Sequence, residues 1–223
     1  MDAIIFLDIR NFSAHREFLA RSKAARPLST LVKTLLEAAS SLSKSFMDAH
    51  GMTKGPLLNH TGDGFVLVLR NGGSSLAAVR FASVFRETTE QLLEDYQKTV
   101  MNTRMADEHT TPPPLGYGIG LHSGKITAFK YKGIGGERSA FLGSAVNIAS
   151  RVEGCTKDHP HPVLCTKPLL DRAKGELGKP AALGFEEYFI SLGLHNLRGL
   201  ERPIELICCQ PQLHSFLDRH GVQ

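Results

Sequence analysis

Residues 57–70 constrain the fold of this chain more than any other stretch. Two apolar segments flank the sequence Thr61-Gly62-Asp63-Gly64, and this arrangement predicts a β-hairpin with Asp63 in its turn. The second segment, residues 65–69, is unbroken apolar sequence, which is typical of a strand buried on both faces. An Asp-Gly pair alone more often makes only a turn. The rest of the chain therefore decides whether Asp63 has a chemical role.

The composition indicates an ordinary globular protein. Of its 223 residues, 42% are hydrophobic and 22% are charged, and we expect one domain spanning residues 1–223. The formal charge of +4 gives no indication of a nucleic-acid or membrane partner. The four cysteines lack metal-site or disulfide spacing, which fits a reducing compartment. No apolar segment is long enough to span a bilayer, so we expect a cytoplasmic protein.

The hydrophobic pattern predicts alternating strands and helices. Residues 3–7 are an apolar run that predicts a central strand ending at Asp8, and helical spacing follows over 31–46, 76–96 and 143–152. Residues 116–121 and 125–130 flank His122-Ser123-Gly124 and predict a second hairpin. Three short segments near 162–165, 184–190 and 203–209 predict further strands. This order favours an α+β fold with helices packed against one sheet.

Two acidic residues are candidates for a metal site. If the first strand lies beside the hairpin, Asp8 and Asp63 emerge at the same end of the sheet. Mg²⁺ is held by one or two carboxylates together with phosphate oxygens, and two such ions can bind the attacking and leaving oxygens of a displacement at phosphorus. Residues 9–13 would add free backbone N–H groups at a helix start, which suit phosphate. On spacing alone, the alternative that Asp8 only ends a strand remains open.

A second candidate pair lies on a helix. Asn147 and Arg151 are spaced i, i+4 and share a face, with Ser144 one turn earlier. Such an exposed pair could hold a ribose and neutralise charge on a transferring phosphoryl group. A solvated helix face is the alternative.

Four ordered sequence blocks are similar to the signature blocks of the class III nucleotidyl cyclases. They are residues 6–13 (FLDIRNFS), 61–65 (TGDGF), 118–124 (GIGLHSG) and 143–153 (GSAVNIASRVE), and 197–200 (LRGL) with Pro203 resembles the approach to the last strand of that family. The resemblance implies a ferredoxin-like βαββαβ core with additional C-terminal strands. It also implies a head-to-tail homodimer, a nucleoside triphosphate substrate and two Mg²⁺ or Mn²⁺ ions per active site.

The resemblance also implies roles for individual residues. Asp8 and Asp63 match the metal-binding aspartates, and Ile9 matches the residue that offers a backbone carbonyl to a metal. The turn formed by Asn11, Phe12 and Ser13 matches the segment that binds the triphosphate.

The partner subunit is expected to supply two further residues. Asn147 and Arg151 match the pair that positions the ribose and stabilises the transition state. Arg198 lies near the position of a basic residue that often contacts the terminal phosphate.

The base pocket departs from the family pattern. Purine-using members place a Lys and an Asp at the positions held here by Asn59 and Ala140, and the guanine-reading Glu and Cys are absent as well. With this altered pocket the chain resembles the pyrimidine cyclases of bacterial anti-phage signalling (the Pycsar group), which implies UTP as substrate, with CTP next. Two alternatives remain: an adenylate or guanylate cyclase with an atypical base pocket, and a catalytically silent cyclase-like domain that dimerises or senses a nucleotide.

Overall fold

A computed structural model describes residues 1–21, 26–49, 52, 54–70, 74–102, 112–133, 136–178 and 184–222. In chain order its elements are β1 (Asp2–Arg10), α1 (Phe12–Arg21), α2 (Arg26–Ala49), β2 (Leu57–His60), β3 (Gly64–Leu69), α3 (Ser74–Asn102), β4 (Gly116–Gly124), β5 (Thr127–Gly133), β6 (Gly136–Leu142), α4 (Ser144–Cys155), β7 (Val163–Thr166), α5 (Lys167–Leu177), β8 (Phe189–His195), β9 (Ile204–Cys209) and α6 (Leu213–Arg219). Short 3₁₀ turns occupy Thr156–Asp158 and Phe185–Tyr188.

The main sheet has seven strands in the order β2-β3-β1-β4-β7-β9-β8. Strand β1 lies between β3 and β4 and is antiparallel to both. The first four strands, with the helices that connect them, form the expected ferredoxin-like βαββαβ core, and β7, β9 and β8 extend it. The pairing of β4 with β7 is parallel, whereas the other pairings are antiparallel. The prediction of an α+β fold with a mainly antiparallel sheet is confirmed.

Alternate residues of β1 pack into two separate apolar cores. Ile5, Leu7 and Ile9 face the core that includes α2, α3 and α5. Ile4 faces the opposite side, where it packs with residues of β3 and α4. Burial on both faces explains why β1 and β3 are nearly continuous apolar sequence. The apolar run of β1 ends at Asp8, whose side chain is half-buried two residues before the strand itself ends at Arg10.

Glycines on β4 allow α4 to lie directly on the sheet. A Cβ atom at Gly120 would lie 2.3 Å from the carbonyl oxygen of Ala149 and from the backbone nitrogen of Glu153. At Gly118 it would lie 2.3 Å from the carboxylate of Glu153 and from the hydroxyl of Thr156. Larger residues would push α4 away from the sheet. The glycines therefore set the position of α4 and of the turn that follows it.

Strands β4 and β5 do not form the predicted hairpin. Strand β4 continues to Gly124 and pairs with β1 along its whole length, while β5 pairs with β6 in a separate two-stranded sheet. The predicted hairpin was wrong because β1 and β7 already occupy both edges of β4. None of the helices among the described residues contains a stretch long and apolar enough to cross a bilayer.

Candidate active site

The carboxylates of Asp8 and Asp63 lie together at one end of the central strands. Asp8 pairs in register with Gly64, so the turn carrying Asp63 lies beside the end of β1. The backbone N–H of Ile9 donates a hydrogen bond to the carbonyl oxygen of Asp63 at 3.1 Å. The turn itself is closed by a bond of 3.0 Å from the Thr61 N–H to the Gly64 carbonyl. The predicted juxtaposition of the two acids is confirmed.

This close approach depends on Gly64. A Cβ atom at this position would lie 1.9 Å from the carbonyl oxygen of Leu7, which no side chain can tolerate without a shift of the backbone. Gly62, in the same turn, has a φ of 106°, a conformation that L-residues rarely adopt. The glycines flanking Asp63 therefore serve two purposes, one allowing the turn and the other the contact between strands.

The two acids repel each other when both are ionised. The pKa of Asp8 is raised to about 6, first by burial, then by the charge of Asp63 and by a side-chain hydrogen bond with Asp63. The positive charges of Lys157 and Arg10 act in the opposite direction. Because ionisation of both acids is unfavourable in these surroundings, the pair favours a bound proton below about pH 6 and a bound cation above it.

A cavity of about 380 Å³ adjoins the acid pair. Its wall is formed by the end of β1, the start of α1, the hairpin turn and one lysine: Asp8, Ile9, Arg10, Asn11, Phe12, Ser13, Asp63 and Lys157. Asn11 has a φ of 61° and its side-chain amide donates to the carbonyl of Pro114 at 2.8 Å. This left-handed residue turns the chain into α1, whose first N–H groups have no intrahelical partner. The residues predicted to bind metal (Asp8, Ile9 and Asp63) and phosphate (Asn11, Phe12 and Ser13) thus line one cavity.

Comparisons with known proteins agree with this architecture. No family model matches the chain. A segment of 167 residues is 23% identical to an adenylate cyclase of Anabaena cylindrica. The aligned segment covers 75% of this chain but 30% of that protein, so the chain spans less than a third of its relative's length. The solved adenylyl cyclase CyaB from P. aeruginosa has a TM-score of 0.65 at 17% identity, over 93% of this chain and 92% of that one. The guanylate cyclase domain of RhGC from Catenaria anguillulae, solved in complex with GTP, has a TM-score of 0.57 at 16% identity, over 94% and 95%.

The chain has the class III nucleotidyl cyclase fold. Within this fold, the end of β1 and the hairpin turn form the acid-pair site.

The oxygen ligands of the acid-pair site fit a hard divalent cation. Among the described residues no group of three or more His, Cys, Asp or Glu side chains is placed to hold a metal. The two carboxylates form a smaller set, and Mg²⁺ is bound in just this way, by one or two carboxylates with substrate phosphates completing the shell. The charge of Asp63, which after burial contributes to the raised pKa of Asp8, would be offset by a cation bound between the two carboxylates. Asp8 and Asp63, with the neighbouring Ile9, are the residues that would hold the ion.

A buried acid next to the acid-pair site is not among the residues predicted from the sequence. Glu153 is only 4% exposed and its Oε1 has no hydrogen-bond partner among the described residues. Its pKa is raised to about 7 by burial and then by the charge of Asp8, against the effect of Lys157 and Arg10. The helical periodicity of the sequence indicates its burial, because Glu153 follows Ala145 and Ala149 at four-residue spacing on the helix face that packs on β4.

Asn147 and Arg151 lie on the other side of α4 from the residues that pack on β4. Asn147 is exposed and Arg151 half-buried. The guanidinium of Arg151 rests on the turn after β8, where a Cβ atom at Gly199 would lie 3.1 Å from its Nη1. Arg198, in the same turn, is exposed. None of these three predicted residues lines the cavity of the acid pair, so a single chain does not assemble the whole constellation there.

The two predicted base-pocket positions lie on adjacent elements. Asn59 is half-buried on β2 and Ala140 half-buried on β6. Strands β2 and β6 contact each other. Residues next to these positions and to Asn147, namely Leu57, Phe141 and Val146, pack against the same apolar cluster, so the three elements lie on one side of the main sheet.

Proposed function

We propose that this protein is a metal-dependent nucleotide cyclase, a lyase that converts a nucleoside triphosphate to its 3′,5′-cyclic monophosphate and pyrophosphate. The observation that carries the proposal is the convergence of Asp8 and Asp63 beside the cavity formed at the start of α1, within a class III cyclase fold. We further propose that residues 1–223 act as one catalytic domain, in the cytoplasm.

The acid pair and the adjoining turn would bind the triphosphate. Asp8 and Asp63, with the carbonyl of Ile9, would hold Mg²⁺ or Mn²⁺, two ions per site, and these ions neutralise phosphate charge and lower the cost of ionising the attacking hydroxyl. Residues 11–13 would offer backbone N–H groups to phosphate oxygens. The ribose 3′-oxygen attacks the α-phosphorus, and pyrophosphate leaves.

A second copy of the chain would complete the site. In the proposed head-to-tail homodimer, Asn147 of one protomer orients the ribose and Arg151 stabilises charge on the α-phosphoryl oxygens. Arg198 approaches the terminal phosphate. The exposed position of this face, away from the chain's own acid pair, supports a site shared between two protomers.

For the base we propose UTP first and CTP next, with the cyclic product acting as a second messenger in anti-phage defence. The support is the replacement of the purine-reading Lys and Asp by Asn59 and Ala140, since uncharged groups read a different base edge. An adenylate or guanylate cyclase with an atypical pocket is the second candidate. It is favoured by the comparisons, since the similar proteins are adenylate and guanylate cyclases.

The test is to incubate the full chain with an equimolar mixture of ATP, GTP, CTP and UTP and Mn²⁺, and to identify cyclic products by mass spectrometry. Cyclic UMP, or cyclic UMP with less cyclic CMP, is the expected result. A product from ATP or GTP alone would end the pyrimidine proposal. If the wild type and Asp63→Ala are equally inert with all four triphosphates, the chain is a silent cyclase-like domain.

A further inference from the structure

The 3₁₀ turn after α4 places a lysine on the wall of the cavity that adjoins the acid pair. Lys157 lies at the centre of this turn, Thr156–Asp158, and lines the cavity together with Asp8 and Asp63 of the same chain. It follows Arg151 by six residues, yet Arg151 rests against Gly199 and does not line this cavity. Helix α4 and the turn that follows it therefore place two cations on two different surfaces.

The backbone that carries Lys157 is held in place from three sides. The hydroxyl of Thr156 donates to the carbonyl oxygen of Glu153 at 2.6 Å and accepts a hydrogen bond from the guanidinium of Arg10. Thr156 is fully buried, and the space for its hydroxyl exists because residue 118 is a glycine. The lysine side chain, in contrast, is exposed. A fixed backbone with a free ammonium group is an arrangement suited to binding an external anion.

Lys157 influences both nearby acids without being bound by either. Its charge lowers the pKa values of Asp8 and Glu153, so it lies within their field. Within the described part of the chain, however, its ammonium forms no ion pair within 4.0 Å, in contrast to Lys167 and Lys174, which pair with carboxylates. The three N–H donors of Lys157 are therefore available to another ligand.

The cavity between these groups suits a polyphosphate. Three features meet at its wall: the acid pair, which fits divalent cations, the start of α1, whose first N–H groups have no intrahelical partner, and the positive charge of Lys157. We propose that Lys157 binds the β- and γ-phosphate oxygens of the substrate, the part released as pyrophosphate. This inference rests on the proposed function. In the proposed dimer, Arg198 of the second protomer would contact the terminal phosphate, and Lys157 would add a phosphate contact from the protomer that holds the metal ions.

Calorimetric titration of the full chain with the Mn²⁺ complex of inorganic tripolyphosphate tests the inference without requiring catalysis. Lys157→Met is expected to weaken binding by about 10- to 100-fold, the loss typical of a charge-assisted hydrogen bond. Lys157→Arg, which keeps the charge, is expected to retain most of the affinity. Lys44→Met makes the same charge change on the exposed side of α2 and is expected to bind as the wild type does.

A second measurement uses only the wild type and so does not depend on whether a variant folds. Acetylation by a limiting amount of an amine-reactive reagent, followed by peptide mass spectrometry, is expected to show Lys157 protected by Mn²⁺-tripolyphosphate and Lys44 unprotected. Unchanged affinity of Lys157→Met, equal losses in Lys157→Met and Lys44→Met, no protection of Lys157, or no binding by the wild type would each overturn the assignment. The proposed function is judged separately by cyclic product, so the two can fail independently.

Discussion

The buried acid Glu153 gives the metal-free protein an unusual dependence of stability on pH. Its pKa is raised from 4.5 to about 7 in the folded state, so the native protein binds this proton more tightly than the unfolded chain does. The stability associated with the protonated form is therefore present below about pH 4.5 and is lost as the pH rises through about 7. Asp8, raised to about 6, changes stability in the same direction at lower pH.

The size of the effect follows from the shift in proton affinity. Each tenfold change is worth about 1.4 kcal/mol, so the ionisation of Glu153 costs about 3 kcal/mol of stability when complete. Glu153→Gln carries no charge at any pH. We expect its free energy of unfolding, relative to the wild type, to rise by about 2–3 kcal/mol between pH 5 and pH 8.

Urea denaturation of both proteins at pH 5 and pH 8, in EDTA and at fixed ionic strength, measures this difference. Glu17→Gln is the control, since Glu17 is exposed on α1 and its replacement should have little effect at either pH. If the difference between Glu153→Gln and the wild type does not change with pH, the burial of an ionisable group at position 153 is refuted.

Three further predictions concern Gly64, the acid pair and the left-handed residue Asn11. Gly64→Ala should reduce the free energy of unfolding by about 3 kcal/mol, because its Cβ would overlap the neighbouring strand. Gly175→Ala, in open space on α5, should increase it by about 1 kcal/mol; equal effects in urea would contradict the strand contact. Mn²⁺ at a hundred times its dissociation constant should stabilise the wild type by about 2.7 kcal/mol, whereas Asp63→Asn should show little stabilisation in thermal melts. Asn11→Ala should lose about 1 kcal/mol from its left-handed backbone, and Asn11→Gly should lose less; the reverse order would exclude strain as the cause.

Much of the fold could be predicted because local pattern and tertiary structure agree. The apolar run before Asp8 and the Gly-Asp-Gly turn belong to strands whose burial on both faces is visible in the sequence. The predicted hairpin around His122 failed because a turn signal does not reveal that both edges of a strand are already paired. The glycines of β4 belong to one of the sequence blocks, but what requires them, the close approach of α4, is a tertiary contact.

The candidate site shows the same division. Asp8 and Asp63 could be placed together because a hairpin brings its turn to the end of the neighbouring strand. Lys157 could not be assigned to the site from the sequence, because a single exposed lysine after a helix has no distinguishing pattern. Its approach to Asp8 depends on the packing of α4 against β4. Glu153 was within reach of sequence reasoning, since an acid on a small apolar helix face is uncommon.

The central claim, a site shared between two protomers, is tested most directly by mixing two inactive variants and measuring cyclic nucleotide formation. Asp8→Ala and Arg151→Ala are each expected to be inactive alone. An equimolar mixture should recover about a quarter of the wild-type activity, because about half of the dimers are mixed and each mixed dimer contains one intact site of two. A mixture as inactive as its components, although subunit exchange is demonstrated, would contradict the shared site, and so would full activity in a protein shown to be monomeric.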